Sequence, residues 1–156
     1  MTTNTTPAQY AAMATLLEDW RTDVRQLRGL LRFTVAGALS ELPLTQAWQP
    51  IPGVPGLEMA SLDPADWPAD AGPDEDYHLL RGPGESSSPG VLRIPQALRL
   101  EVLTGHQRYW KETVPYYVDY RPGEVFVCAA GEGYQWQALE PFRNRVSFTP
   151  ALFPRP

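Results

Sequence analysis

The chain has 156 residues and a formal net charge of −5, which suits one domain with its own hydrophobic core. Its one cysteine, Cys128, excludes an intrachain disulfide, and the acidic balance argues against a nucleic-acid partner, since phosphate neutralisation needs a basic face. The opening residues carry no basic-then-apolar run, and no apolar stretch is long enough to cross a bilayer, so neither signal peptide nor membrane partner is expected and the compartment is read as cytoplasmic. A basic complement of twelve arginines and one lysine, with abundant Ala, Pro and Gly, has the character of a GC-rich bacterial genome.

Taken in chain order, Thr6-Pro7-Ala8-Gln9 reads as a capping box with proline at the first helical position. Tyr10, Met13, Leu17, Trp20, Val24, Leu27 and Leu31 then recur at alternating spacings of three and four, an amphipathic helical stripe. In a parallel homodimer this stripe would form the seam, with Asp23 and Arg28 at facing flank positions; packing on the protein's own sheet is the competing use. Beyond Gly29, Leu31, Val35, Leu39 and Leu42 continue the helical stripe, while Leu31, Phe33 and Val35 also alternate as in a strand. Helix over 7–40, bent near Gly29, is the expectation.

Residues 43–76 read as an irregular, acidic, Pro- and Gly-rich connection, because the run from Gln49 to Gly56 contains too many prolines for helix or central strand. A short strand at Leu57–Ala60 is the one element expected within it. The segment 41–96 carries a net charge of −7, crowded by Asp63, Asp66, Asp70, Asp74, Glu75 and Asp76. A solvated acidic loop explains this better than a calcium site, since the acids lack the spacing and the sharp-turn glycine of an EF-hand. Trp67 lies within it and is positioned to cap a ligand.

Residues 77–149 read as an antiparallel sheet followed by a tail at 150–156. Strands are expected at Tyr77–Arg81, Val91–Ile94, Ala97–Leu103, Arg108–Val114, Tyr116–Tyr120, Glu124–Ala129, Gly133–Leu139 and Arg145–Thr149. Arg121-Pro122-Gly123-Glu124 has the residues of a type II turn. The fold class implied is a single α+β domain over 1–156, a long N-terminal amphipathic helix packed on a mostly antiparallel sheet of about five to seven strands.

Chemistry-bearing residues are scarce. Two histidines, His78 and His106, and one thiol without paired spacing do not make a zinc site, and no metal or cofactor is expected. Cys128 sits in an apolar strand and reads as a small buried hydrophobe. Glu101, His106 and Glu112 flank one expected hairpin and form the candidate acid/base set. Aromatic density is the other signal. Neighbouring rings such as Tyr109 and Trp110, or Tyr116 and Tyr117, cannot share one strand face, so Tyr109, Trp110 and Tyr117 with Arg108, Arg121 and Trp67 form a candidate binding surface. The reading favoured is a non-enzymatic protein acting by macromolecular contact, as a protein-binding, adaptor or assembly module or a homodimer. The alternative is a small metal-independent enzyme with an acid/base site between the sheet and the 43–76 loop, where loops of such length serve as lids.

Overall fold

A computed structural model describes residues 29–153, and the expected helix over 7–28 with its seam residues Tyr10, Met13, Leu17, Trp20, Asp23, Val24, Leu27 and Arg28 lies outside the described residues. What is described is β-structure rather than α+β. Residues 30–40, expected to continue the helix, form a hairpin of β1 (Leu30–Val35) and β2 (Ala38–Pro43). Its turn holds Ala36 and Gly37 at positive φ of 49° and 84°, the left-handed pair that matches strand twist. Here the period-two alternation prevailed: Leu31 and Phe33 are buried while Leu30 and Arg32 are only partly so.

The remaining strands are β3 (Gln49–Pro50), β4 (Glu58–Ser61), β5 (Asp76–Gly82), β6 (Ser86–Ser87), β7 (Leu92–Arg93), β8 (Ala97–Thr104), β9 (Gln107–Lys111), β10 (Val114–Tyr120), β11 (Val125–Cys128), β12 (Tyr134–Ala138) and β13 (Phe142–Thr149). They form two sheets rather than one. The first has the order β10-β9-β12-β7-β1-β2 with β6 on β12, the second the order β11-β8-β13-β5-β4-β3, and every pairing is antiparallel. From β8 to β13 only β9 and β10 are successive strands of one sheet; the other connections cross between sheets. The turn at Arg121–Glu124 is such a crossing. Glu124 N–H donates to the Arg121 carbonyl at 2.9 Å and Gly123 takes φ 90°, as a type II turn requires, yet the strands it joins belong to opposite layers.

The expectation of a helix covering one sheet is thus corrected: the apolar face of each sheet is covered by the other. Leu98, Leu100 and Val102 of β8 are buried while Arg99 is exposed, and Tyr134, Trp136 and Ala138 of β12 alternate with half-buried glutamines. These inward residues join Leu31, Phe33, Tyr109, Phe126, Val146 and Phe148 in one core cluster. A cavity of about 60 Å³ remains between the sheets, lined by groups such as Phe33, Leu100, Trp136 and Val146.

Phe126 is 2% exposed and stacks on Tyr109 with ring centroids 4.4 Å apart. Phe126→Ala is therefore expected to lower unfolding free energy by about 3–5 kcal/mol, measured as a shift of the urea midpoint at unchanged slope.

Candidate active site

Asp76 and His78 are among the few buried polar side chains and lie close together on one strand. On β5, residues two apart share a face, so Asp76 and His78 point inward with Leu80. On the neighbouring β4, Ser61 lies opposite His78 in register. Three polar side chains from two adjacent strands thereby meet at one end of the core. The Ser61 hydroxyl lies 3.1 Å from His78 Nδ1, and Asp76 Oδ2 lies 3.1 Å from His78 Nε2. The second approach is close but oblique: it meets the distance for an ion pair and not the angle for a hydrogen bond, so its contribution is chiefly Coulombic.

Asp76 Oδ2 is fixed from the far side. The backbone N–H groups of Leu152 and Phe153 each donate to it at 3.0 Å. An oxygen that accepts from two N–H groups is unprotonated, so a proton on His78 Nε2 suits this contact electrostatically, although the angle is not that of a hydrogen bond. The Nδ1 lone pair is then free to accept from Ser61. The His78 ring packs tilted on Phe148 and Phe153, at centroid distances of 5.2 and 6.1 Å, which sets its plane. Asp76 and His78 are both 0% exposed, whereas Ser61 is partly exposed.

This trio borders a cleft of about 480 Å³ between the second sheet and the 43–76 segment. Thr45, Gln46, Leu62, Pro64, Trp67, Tyr77 and Phe153 complete its lining. The acidic loop owes much of its order to its own acids. Asp63 accepts from Ala65 N–H at 2.9 Å and starts a short 3₁₀ turn at Pro64–Asp66, while Glu75 accepts from Gly72 N–H and from the Tyr77 hydroxyl. Trp67 follows that turn, donating from Nε1 to the Leu62 carbonyl at 2.9 Å and packing 5.8 Å from Tyr77.

The acid/base set expected from the sequence is not assembled. Glu101 pairs with Arg145 at 2.7 Å on the second sheet, Glu112 pairs with Arg93, and His106 lies 3.2 Å from Asp119, which also takes Arg108 at 2.7 Å. Each member answers a different partner because β8 and β9, expected as one hairpin, belong to different sheets. Asp119 is held below the usual carboxylate range, first by its hydrogen bond from Arg108.

The expected aromatic surface is likewise divided. Tyr109 and Trp110 are both buried, at 2% and 7% exposure, so both faces of β9 are covered. Burial also pushes the Tyr109 hydroxyl well up. Tyr116 and Tyr117 are both exposed, where a register shift between Val114 and Val118 breaks the alternation of β10. Arg108 and Arg121 are exposed, away from the cleft lining, and Trp67 is the one expected binding residue at the cleft. Ser61, Asp76 and His78 are not marked as a set by any sequence motif. The available signal was the Asp-Tyr-His spacing at 76–78, which on a strand places acid and imidazole on one face.

Comparison with known proteins yields no matching family model and no matching curated sequence. Solved structures do share the architecture. An RmlC-like cupin from Shewanella frigidimarina NCIMB 400 superposes with a TM-score of 0.54 at 12% identity, covering 68% of this chain and 85% of that one. The fold is cupin-like.

A predicted oxalate decarboxylase from Thermotoga maritima matches this cupin-like fold with a TM-score of 0.51 at 16% identity, over 68% of this chain and 92% of that one. Salicylate 1,2-dioxygenase from Pseudoaminobacter salicylatoxidans matches with a TM-score of 0.52 at 15% identity, over 65% of this chain and 27% of that one. The two-sheet fold shared with these neighbours overturns the α+β class and, with it, the preference for a non-enzymatic adaptor or assembly module. Among the described residues no group of three or more His, Cys, Asp or Glu is placed to hold a metal ion. The side chains lining the cavity between the sheets offer no imidazole, thiol or carboxylate as ligands. No described helix is long and apolar enough to cross a membrane.

Cys128 is buried at 4% exposure, with Sγ 3.4 Å from the Glu132 carbonyl; burial, then the Glu132 charge, pushes its thiol well up. A thiol so placed stays protonated and shielded. Native protein is expected to resist Ellman's reagent at pH 8 and to release one equivalent of thionitrobenzoate once unfolded in guanidinium; rapid native reaction would refute the burial argument.

Proposed function

We propose that this chain is a small acid/base enzyme whose site is the cleft between the second sheet and the 43–76 segment, with His78 as the proton-transfer group. One observation carries this reading: a fully buried imidazole lies between a buried carboxylate and a hydroxyl that is partly open to the cleft. Burying two ionisable groups against each other is costly, and mutational work elsewhere shows that such pairs are often no more stabilising than apolar replacements. Sites that keep them are therefore good candidates for function. Asp76 lies against the ring and helps to orient it, and Ser61 connects it to the cleft.

The volume fits a small organic molecule. Leu62, Pro64, Trp67 and Phe153 offer apolar and aromatic contact, and Asp76, a buried acid in the lining, takes two backbone N–H donors on Oδ2 while Oδ1 has no hydrogen-bond partner. The ligand class is accordingly neutral and largely apolar, with Trp67 as its cover. The enzymatic character of the neighbours with this fold supports the same direction. A single shielded thiol is consistent with a reducing, cytoplasmic setting.

The test uses neutral aromatic probes, phenyl acetate and benzamide, with the chain labelled with ¹⁵N at its two histidines. Saturation is expected to raise the melting temperature, by a stabilisation of about 2.7 kcal/mol at a hundredfold excess over Kd, and to move the ring signals of His78 while leaving His106 in place. Trp67→Ala should weaken both effects at least tenfold in probe concentration. Unmoved His78 signals and melting temperature with both probes would overturn the reading.

A further inference from the structure

We infer that Ser61 is a nucleophile, and that the chemistry of this cleft is acyl transfer from a small, neutral carboxylic ester to water. The inference rests on the acid/base reading above and goes beyond it by naming the reacting atom. His78 is buried at the cleft wall, with Nδ1 against Ser61, Nε2 against Asp76, and Phe148 and Phe153 beside the ring. In the resting site the Ser61 hydroxyl covers Nδ1, so a substrate meets Oγ first; Nδ1 faces the leaving oxygen, and later water, once Oγ has bonded to the acyl carbon. Ser61, a half-buried residue of the cleft lining, holds its Oγ 3.1 Å from Nδ1, within the range for direct proton transfer.

The relation of parts is that of a nucleophile, a base and an orienting acid, recognised by role rather than by order in the chain. Asp76 Oδ2 lies 3.1 Å from Nε2, and in the tautomer with the proton on Nε2 the Nδ1 atom is the acceptor for Ser61. The Ser61 backbone donates its own N–H to the Thr45 carbonyl at 2.6 Å, fixing the strand position from which Oγ projects. In the first half-reaction Ser61 Oγ bonds to the ester carbonyl carbon as its proton passes to Nδ1. The bond to the leaving alkoxide then breaks, and Nδ1 returns the proton to that oxygen, releasing an alcohol. In the second half-reaction water attacks the acyl-Ser61 carbonyl and gives a proton to Nδ1. The acyl–Oγ bond breaks, Ser61 recovers the proton, and a carboxylic acid leaves. Ester and water yield acid and alcohol, with no oxidant or reductant.

Charge developing on the carbonyl oxygen needs a donor from the cleft lining. Thr45 Oγ1 donates to the Ala47 carbonyl, Trp67 Nε1 to the Leu62 carbonyl and the Tyr77 hydroxyl to Glu75. Gln46, an exposed residue of the cleft lining, carries the remaining side-chain amide there, and this role is assigned to it.

The test treats the full chain with a fluorophosphonate probe and, separately, with p-nitrophenyl acetate. Expected are a phosphonyl adduct on the Ser61 peptide by mass spectrometry and a burst of p-nitrophenolate, both lost in Ser61→Ala. His78→Gln should slow adduct formation on the order of 10²- to 10⁴-fold, and Gln46→Ala should lower ester turnover on the order of 10²-fold. The wild-type adduct is informative whether or not a variant folds. A folded wild-type chain with no adduct on Ser61, or ester hydrolysis that survives Ser61→Ala, overturns the inference. If phenyl acetate still moves His78 in that case, the covalent step alone falls and the acid/base cleft stands. If neither probe engages the cleft, both readings fall together.

Discussion

Two sheets, each apolar on alternate residues, must bury those faces, and in this chain they bury them against each other. Leu98, Leu100 and Val102 on one side and Phe33, Tyr109 and Trp136 on the other fall in a single core cluster. Burial at about 25 cal/mol per Å² of apolar surface makes this closure the dominant favourable term. It also dictates where polar chemistry can sit. An inward polar group needs a partner inside that core: Gln107 and Asn144 donate to the Tyr109 hydroxyl, while Asp76 takes backbone N–H groups from the C-terminal segment.

Asp76 shows how that works. Its carboxylate is fully buried, a position that would cost several kcal/mol for an unpaired charge. The N–H groups of Leu152 and Phe153 and the imidazole of His78 offset that cost. The segment that follows β13 is therefore part of the site's construction, because it turns back to present two donors to an acid on β5. Local chain and distant chain converge on one oxygen atom, and the histidine takes its orientation from that oxygen.

The acidic 43–76 segment has a corresponding role on the other side of the cleft. Read along the sequence it is a charge run. In three dimensions Asp63 and Glu75 spend their oxygens on nearby backbone N–H groups and so shape the turns that carry Pro64 and Trp67 to the cleft. The cation Arg81 stacks over Trp48 at 3.8 Å, giving the segment another hold on the sheet. An apolar, aromatic-lined cleft thus arises inside the most acidic part of the chain.

Much of the β-structure was legible before any coordinates: strands from Tyr77 to Thr149 could be placed from alternation, and the Pro-Gly turn at 122–123 from its residue types, because both signals are local. The hairpin at 30–43 was misread because Leu31, Val35, Leu39 and Leu42 satisfy a helical period as well as part of a strand period, and only partners across the sheet decide between them. Sheet membership was not legible at all. The hydrogen bonds that put β8 in one layer and β9 in the other join residues far apart in the chain, so the neighbouring Glu101, His106 and Glu112 were separated while Ser61, Asp76 and His78 were brought together. What the sequence by itself determined is which residues alternate, where the chain must turn, and how few imidazoles and thiols it can bring to bear. What only the tertiary structure decided is which faces close on each other and which polar atoms that closure traps side by side, since burial acts on the assembled layers and not on any one strand.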